Sequence, residues 1–344
     1  MEPKQTTPVS QLGEFGLIEH LTKNFRHANS STLKGIGDDA AVLDSEGKKT
    51  VVSTDLLVEG IHFDLMYTPL KHLGYKSVVV NLSDIYAMNA EPKQITVSIA
   101  ISSRFTVEAL DEFYAGIELA CKNYKVDLVG GDTTSSLSGL IISVTAIGVA
   151  NAEDLVYRNG AKEGDLVCVT GDLGAAYLGL QILEREKRIY IEHPEVQPEL
   201  ENSDYLIGKQ LKPEARKEVL KFFKDMNLKP TSMMDLSDGL SSDILHICKQ
   251  SAVGCELFEA QIPVSEEAYH MALKFNLDPI TCALNGGEDY ELLFTIQPED
   301  ETKIADEDTF CIIGTITKKE NGCVLVTRSN NRHVLKAQGW NHFE

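Results

Sequence analysis

Aspartate recurs in this sequence in one local setting: an apolar, strand-like run ends in a small or hydroxyl residue, and an aspartate follows at once. The pattern appears at Gly35-Ile36-Gly37-Asp38-Asp39, Val51-Val52-Ser53-Thr54-Asp55, Leu128-Val129-Gly130-Gly131-Asp132 and Met233-Met234-Asp235-Leu236-Ser237-Asp238-Gly239. Two related acidic sites are Asn81-Leu82-Ser83-Asp84 and Asn285-Gly286-Gly287-Glu288-Asp289. A single such pair is an ordinary turn or helix cap. Their recurrence points elsewhere, because strand ends of a mixed sheet tend to converge on a face where ligands bind. Carboxylates gathered in one cleft repel one another and are tolerated when cations sit among them. Magnesium suits such a set: it is a hard, oxygen-seeking ion, usually held by one or two carboxylates with water and substrate phosphates.

The charge balance agrees. A formal net charge of -20 argues against nucleic acid and anionic membranes as partners, since both demand clustered Lys and Arg. An acidic protein can still bind polyanionic ATP if several divalent ions lie between the two. Gly130-Gly131 and Gly286-Gly287 would let the backbone come close to phosphates. The sequence has no GxxxxGKS or GxxxxGKT loop, no kinase-type glycine loop, and no HRD or DFG, which argues against P-loop and protein-kinase mechanisms.

The elements that must position these residues follow from periodicity. Leu17, Ile18, Leu21 and Phe25 have helical spacing, Thr50 to Leu57 reads as a strand, and His72 to Met88 as a helix carrying Ser83 and Asp84. Ile95, Val97, Ile99 and Ile101 alternate as a half-buried strand, and Leu110 to Tyr124 forms an amphipathic helix. Val126 to Val129 and Leu140 to Val149 are further strands. The turn-rich stretch Asn151 to Asp165 separates this set from a second one: strands at Leu166 to Thr170, Ser232 to Asp235, Cys255 to Phe258, Glu291 to Ile296 and Phe310 to Ile316, with helices at Leu173 to Glu184 and Asp238 to Gln250. The charged segment Arg185 to Gln210 reads as a surface excursion with no assigned function. The expectation is a mixed α/β protein of 344 residues in two domains, 1–150 and 151–344.

Seven cysteines, odd in number and without a CxxC pair, read as reduced core residues. Met1 to Gln11 lacks the layout of a secretory signal, and the longest apolar stretch, Gly139 to Ala150, is shorter than a membrane helix requires. A cytosolic protein is expected.

In this order, GIGDDAAV, STDLLVEGIHF, NLSDIYAM, GGDTT, RNGAKEGD, TGDLG, DLSDGL, GGEDYELLF and a terminal GWNHF resemble the thiamine-monophosphate kinase family, from Glu14 to Phe343. That family is part of a superfamily that also holds aminoimidazole ribonucleotide synthetase, selenophosphate synthetase and a hydrogenase-maturation enzyme. The resemblance implies an aminoimidazole-ribonucleotide-synthetase-like fold: an N-terminal α/β domain whose sheet pairs with that of a second subunit in a homodimer, a C-terminal α/β domain, and ATP in the groove between. It implies phosphorylation of thiamine phosphate to thiamine diphosphate. Carried over by position, it assigns magnesium to Asp39, Thr54, Asp55, Asp84, Asp132, Asp235 and Asp238, of which Asp55, Asp84, Asp132 and Asp238 are the catalytic set, with Asp38 as a weaker ligand. It assigns ATP to Ser53, Tyr114, Gly131, Arg158 and Ser237, and thiamine phosphate to His62, Glu288 and Trp340. His62 reads equally as a partly buried histidine, and Trp340 equally as an anchor for the C-terminal tail. Tyr86 and Asn89 stand where the family usually has Ala and Gly.

The chemistry expected is in-line attack by the acceptor phosphate on the γ-phosphorus, with no covalent enzyme intermediate. An aminoimidazole ribonucleotide synthetase-like reaction is the enzymatic alternative. A non-catalytic metal- or nucleotide-binding module is the alternative of another class, although the chain has no EF-hand loop.

Overall fold

The computed structural model describes residues 20–34, 42–45, 47–305 and 307–337. They form two compact units. One comprises the chain up to Ile85 together with Ala90–Glu153, the other Tyr86–Asn89 together with the chain from Asp154 onward. Asp38, Asp39 and Trp340 lie outside the described residues, as do Leu17 and Ile18 of the first expected helix.

The first unit opens with a two-stranded ribbon, β1 (Thr32–Lys34) against β2 (Val42–Leu43). Then follow β3 (Lys49–Val58), helix α1 (Leu70–Ala87), β4 (Glu91–Ile101), helix α2 (Val107–Tyr124), β5 (Asp127–Ser135) and β6 (Leu140–Ala150). The sheet order is β3-β6-β4-β5, so β3 and β5 are its two edges. β4 and β5 run parallel and are joined through α2, the crossover that parallel neighbours require; the other pairs are antiparallel. Strand alternation gives this sheet one sealed face. Ile95, Val97 and Ile99 of β4 and Ile142, Val144 and Ala146 of β6 are buried. Helix α1 lies on that face, where its Asn81 and Asp84 reach β3. Its Tyr75 meets Tyr124 of α2 with ring centroids 6.4 Å apart.

Asn89, where the resemblance leads one to expect Gly, has φ 54°, and its side chain donates to the carbonyl of Asp154 at 2.8 Å. Asparagine is the residue after glycine that best tolerates this left-handed turn.

The second unit contains β7 (Leu166–Thr170), α3 (Ala175–Glu192), α4 (Asp204–Leu211), α5 (Lys217–Asp225), β8 (Ser232–Asp235), α6 (Leu240–Ser251), β9 (Gly254–Phe258), α7 (Glu266–Lys274), α8 (Pro279–Asn285), β10 (Leu292–Ile296), α9 (Glu301–Ile304), β11 (Phe310–Thr317), β12 (Cys323–Val326) and β13 (Arg332–Val334). Its sheet order is β13-β12-β9-β11-β7-β10-β8, with β12 and β9 as the parallel pair. Leu240, Ile244 and Ile247 of α6 seal one face against Val167, Val169 and Leu293. Val219 and Phe223 of α5 seal the other against Cys168 and Phe294, with the Phe223 and Phe294 rings 5.3 Å apart.

Two expectations are corrected. Arg185 to Gln210 is not an excursion throughout. Its first turns continue α3 to Glu192, and its end forms α4, whose Leu206 packs beside Leu178 and Ile182; the exposed part is 193–202. The acidic motifs also do not all end strands. Asp55 and Asp132 lie within β3 and β5, because the ladder continues past each of them, and Asp235 alone of the singled-out aspartates among the described residues closes a strand.

Candidate active site

In the first unit a carboxylate pair forms where β3 passes α1. Alternation along β3 turns Ser53 and Asp55 toward the helix, where the Ser53 hydroxyl donates to Asp84 Oδ2 at 2.5 Å. The Asp55 amide donates to Asn81 Oδ1 at 2.9 Å, and Asn81 is itself fixed by donating to the Ser77 carbonyl at 3.0 Å. Burial, and then the Asp84 charge, push the Asp55 carboxyl up to about 6. Two hard oxygen donors are thus held together against their repulsion, an arrangement suited to a hard divalent cation.

The same alternation separates other members of the expected set. Thr54 pairs with Thr145 on the opposite face, where its hydroxyl donates to the Val144 carbonyl at 3.1 Å and accepts from Thr145 at 3.0 Å. The Thr54 hydroxyl therefore lies on the face of the sheet opposite the Asp55 side chain. Asp132 sits on the far edge strand. Register runs from Leu56 through Ser143 and Ser98 to Asp132, which gives Asp132 the face of Thr54 and Leu56 rather than that of Asp55. Three strand spacings separate the two aspartates, roughly 14 Å. Asp132 is exposed, and its Oδ1 accepts from the Thr133 amide at 2.9 Å. Gly131 has a structural cause of its own: a Cβ there would stand 1.8 Å from the Val97 carbonyl oxygen.

Tyr114 is buried, and its ring packs edge-on against Phe25 and Phe113 at 6.5 and 5.7 Å. Burial lifts its hydroxyl to about 12, which keeps it protonated and rules it out as a base near neutrality. His62 is half-buried in the turn after β3, where Nδ1 accepts from the Val58 amide at 3.0 Å. A neutral ring then carries its proton on Nε2.

In the second unit, Asp235 ends β8 and is buried, whereas Ser237 and Asp238 are exposed on the turn that follows. That turn is zipped to the GGEDYE loop: the Leu236 amide donates to the Glu291 carbonyl at 2.8 Å, Tyr290 to Leu236 at 2.9 Å, and Glu288 to Ser237 at 2.8 Å. Glu288 accepts from Gln210 at 2.7 Å. Arg158 is exposed and makes no side-chain hydrogen bond or ion pair among the described residues, so its guanidinium is available to an anion.

Three side chains here were given no role by the sequence. Asp243, one turn into α6, accepts from the Asp238 amide at 3.3 Å; burial and then Asp235 and Asp238 push its carboxyl up to about 8. Its place in the first turn of the helix that follows Asp238 was a usable signal. Asp289 accepts from the Gly174 and Ala176 amides at 2.9 and 3.4 Å and so caps α3. Glu291, 1% exposed, takes a two-pronged ion pair from Arg216 and a second from Lys209 at 3.0 Å. Nothing local in the sequence marks those partners, 75 and 82 residues away.

Comparisons with known proteins agree with this architecture. Residues 37–150 match the family model described as AIR synthase related protein, N-terminal domain, and residues 162–326 match its C-terminal domain. Thiamine-monophosphate kinase of Bacillus subtilis (strain 168) is 33% identical over 340 residues, covering 97% of this chain and 100% of that protein. The same-named protein of Aquifex aeolicus (strain VF5) is 34% identical over 336 residues, with 97% and 99% coverage. A solved structure described as AaThiL complexed with AMPPCP and TMP superposes with a TM-score of 0.74 at 33% identity, covering 98% of this chain and 99% of that one. This chain belongs to the thiamine-monophosphate kinase family.

Proposed function

We propose that this protein transfers the γ-phosphoryl group of ATP to thiamine phosphate, giving thiamine diphosphate and ADP. The observation that carries the reading is the Asp55 and Asp84 pair, close enough for the Asp84 charge to raise Asp55, in a chain alike over nearly its full length to thiamine-monophosphate kinases.

The residues fit magnesium, with Asp55 and Asp84 as holders in the first unit and Asp235 and Asp238 in the second; Asp39 and Asp132 complete the set by position in the sequence. Bound there, several ions would neutralise polyphosphate charge and polarise the γ-phosphoryl group. The chain's own part is positioning. Ser53 and Asn81 orient the first pair, and Arg158, Ser237, Gly131 and Tyr114 are assigned to the nucleotide by position in the sequence. His62, Glu288 and Trp340 are assigned to thiamine phosphate by position in the sequence, and the second pKa of that phosphate, near ~6, leaves it mostly dianionic at neutral pH. The attacking oxygen therefore needs no general base, in keeping with a protonated Tyr114.

The protein acts as a homodimer. Asp55 and Asp132 occupy opposite edges and opposite faces of one sheet, and Val52 and Leu56, 62% and 54% exposed, leave an apolar strip on the Asp132 face. A second copy packing its sheet against this strip covers it and sets its own Asp132 along the first copy's β3 edge, the strand that carries Asp55. Free thiols throughout the described chain, with no helix there long and apolar enough to cross a membrane, accord with a cytoplasmic enzyme.

The reaction is tested by mass-spectrometric product analysis with magnesium-ATP and thiamine phosphate. Thiamine diphosphate and ADP in equal amounts, abolished by EDTA and absent without acceptor, are expected. ATP binding with no thiamine diphosphate formed would refute the reading.

A further inference from the structure

The second unit holds a cluster that the kinase reaction does not use. Cys248, Cys255 and Cys323 stand far apart in sequence, yet their three sulfurs all lie within 4.8 Å of one another. They come from three elements: Cys248 from the last turn of α6, Cys255 from β9 and Cys323 from β12. Among the described residues no other group of three Cys, His, Asp or Glu donor atoms is this tightly gathered.

The backbone accounts for the convergence. Helix α6 closes with Ala252 in a left-handed turn at φ 57°, and the Val253 amide donates back to the Cys248 carbonyl at 3.0 Å, so the chain reverses into β9 within a few residues. β9 and β12 are parallel neighbours with Cys255 directly opposite Cys323, and the Cys255 amide donates to the Gly322 carbonyl at 3.1 Å. Gly254 lets the two strands close, since a Cβ there would stand 2.3 Å from the Gly322 oxygen. Cys248 and Cys255 are buried in the apolar cluster under α6, while Cys323 is half-buried and gives solvent a way in.

Chemistry then selects the ligand. A zinc-sulfur bond of about 2.3 Å places tetrahedral ligand sulfurs about 3.8 Å apart, within the spread found here. Three thiolates are soft donors and discriminate against magnesium, which prefers carboxylates. Charge favours a divalent ion. Three thiolates leave one net negative charge around it but two around a monovalent ion, in a setting where unpaired charge is costly.

We propose that Cys248, Cys255 and Cys323 bind one thiophilic divalent cation of the zinc or cadmium kind. Binding replaces three S–H bonds with three metal–sulfur bonds and releases three protons to solvent, and no oxidant or reductant takes part. The fourth position is left to water entering past Cys323.

The test titrates the full-length protein, reduced with a phosphine, with cadmium chloride while following sulfur-to-metal charge-transfer absorption in the ultraviolet. The band should saturate at one equivalent per chain. It should require at least ten-fold more cadmium in C323S and in C248S, and be unchanged in C311S, whose cysteine is half-buried but outside the trio. Absence of a saturating band in the wild type, or equal titration of C323S and C311S, would overturn the proposal. Should C323S or C248S fail to fold, alkylation of the wild type read by peptide mass spectrometry decides. Cadmium must slow modification of Cys323 and spare that of Cys311; equal rates for both overturn the site.

Discussion

Removing the Asp55 charge should make the metal-free protein more stable and the enzyme inactive. Burial and Asp84 hold the Asp55 carboxyl at about 6, against an ordinary value of 3.8. At roughly 1.4 kcal/mol per pKa unit, keeping Asp55 ionised costs the fold up to about 3 kcal/mol at neutral pH. The window follows from the raised value. Below about pH 4 the carboxyl is protonated in folded and unfolded chains alike, and Asp55 carries no penalty. Between 4 and 6 the folded chain keeps a proton that the unfolded chain has lost, so stability falls as pH rises, and above 6 the full penalty stands. Urea unfolding of wild type and D55N in EDTA, followed by circular dichroism, should therefore show equal stability near pH 4. At pH 7.5 D55N should gain on the order of 1–3 kcal/mol. Saturating magnesium should stabilise the wild type more than the variant. A difference that does not change with pH, or a D55N protein less stable at pH 7.5, would refute the account of the pair.

Other outcomes follow from single contacts. A heterodimer of one D55N chain and one D132N chain, purified by two tags, should recover roughly half of wild-type turnover although each parent is inactive, since one of its two sites collects both defects; no recovery would place Asp132 and Asp55 of the same copy in one site. G131A, with its Cβ 1.8 Å from the Val97 oxygen, should disrupt β4–β5 pairing and lower the thermal midpoint sharply, whereas G130A, whose nearest neighbour is a Thr96 methyl at 3.7 Å, should stay within about 1 kcal/mol of wild type in urea unfolding. R216M, which strips the two-pronged partner from buried Glu291 and leaves it Lys209, should cost about 1.5–3 kcal/mol in the same assay.

Periodicity carried most of the framework. The alternation from Ile95 to Ile101 and the helical spacing from Leu110 to Tyr124 are found where expected, because each element buries one regular face. The acidic motifs announced the chemistry but not its arrangement. Which face an aspartate takes is decided by strand register, and the step from Thr54 to Asp55, or from Gly131 to Asp132, reverses it. Arg185 to Gln210 misled because long charged side chains dominate its composition, while the few contacts that anchor it, Leu206 in a core and Lys209 on Glu291, depend on distant residues. The three cysteines read one by one as core residues. The pairing of β9 with β12 and the turn from α6 into β9 bring their sulfurs together.

The most direct test of the central claim uses ATP labelled with oxygen-18 at all three terminal γ-oxygens, unlabelled thiamine phosphate and magnesium. Mass spectrometry of the thiamine diphosphate should find the three labelled oxygens together in its terminal phosphoryl group, with one ADP released per product. Product carrying no label, or AMP released in place of ADP, would contradict direct transfer of the γ-phosphoryl group.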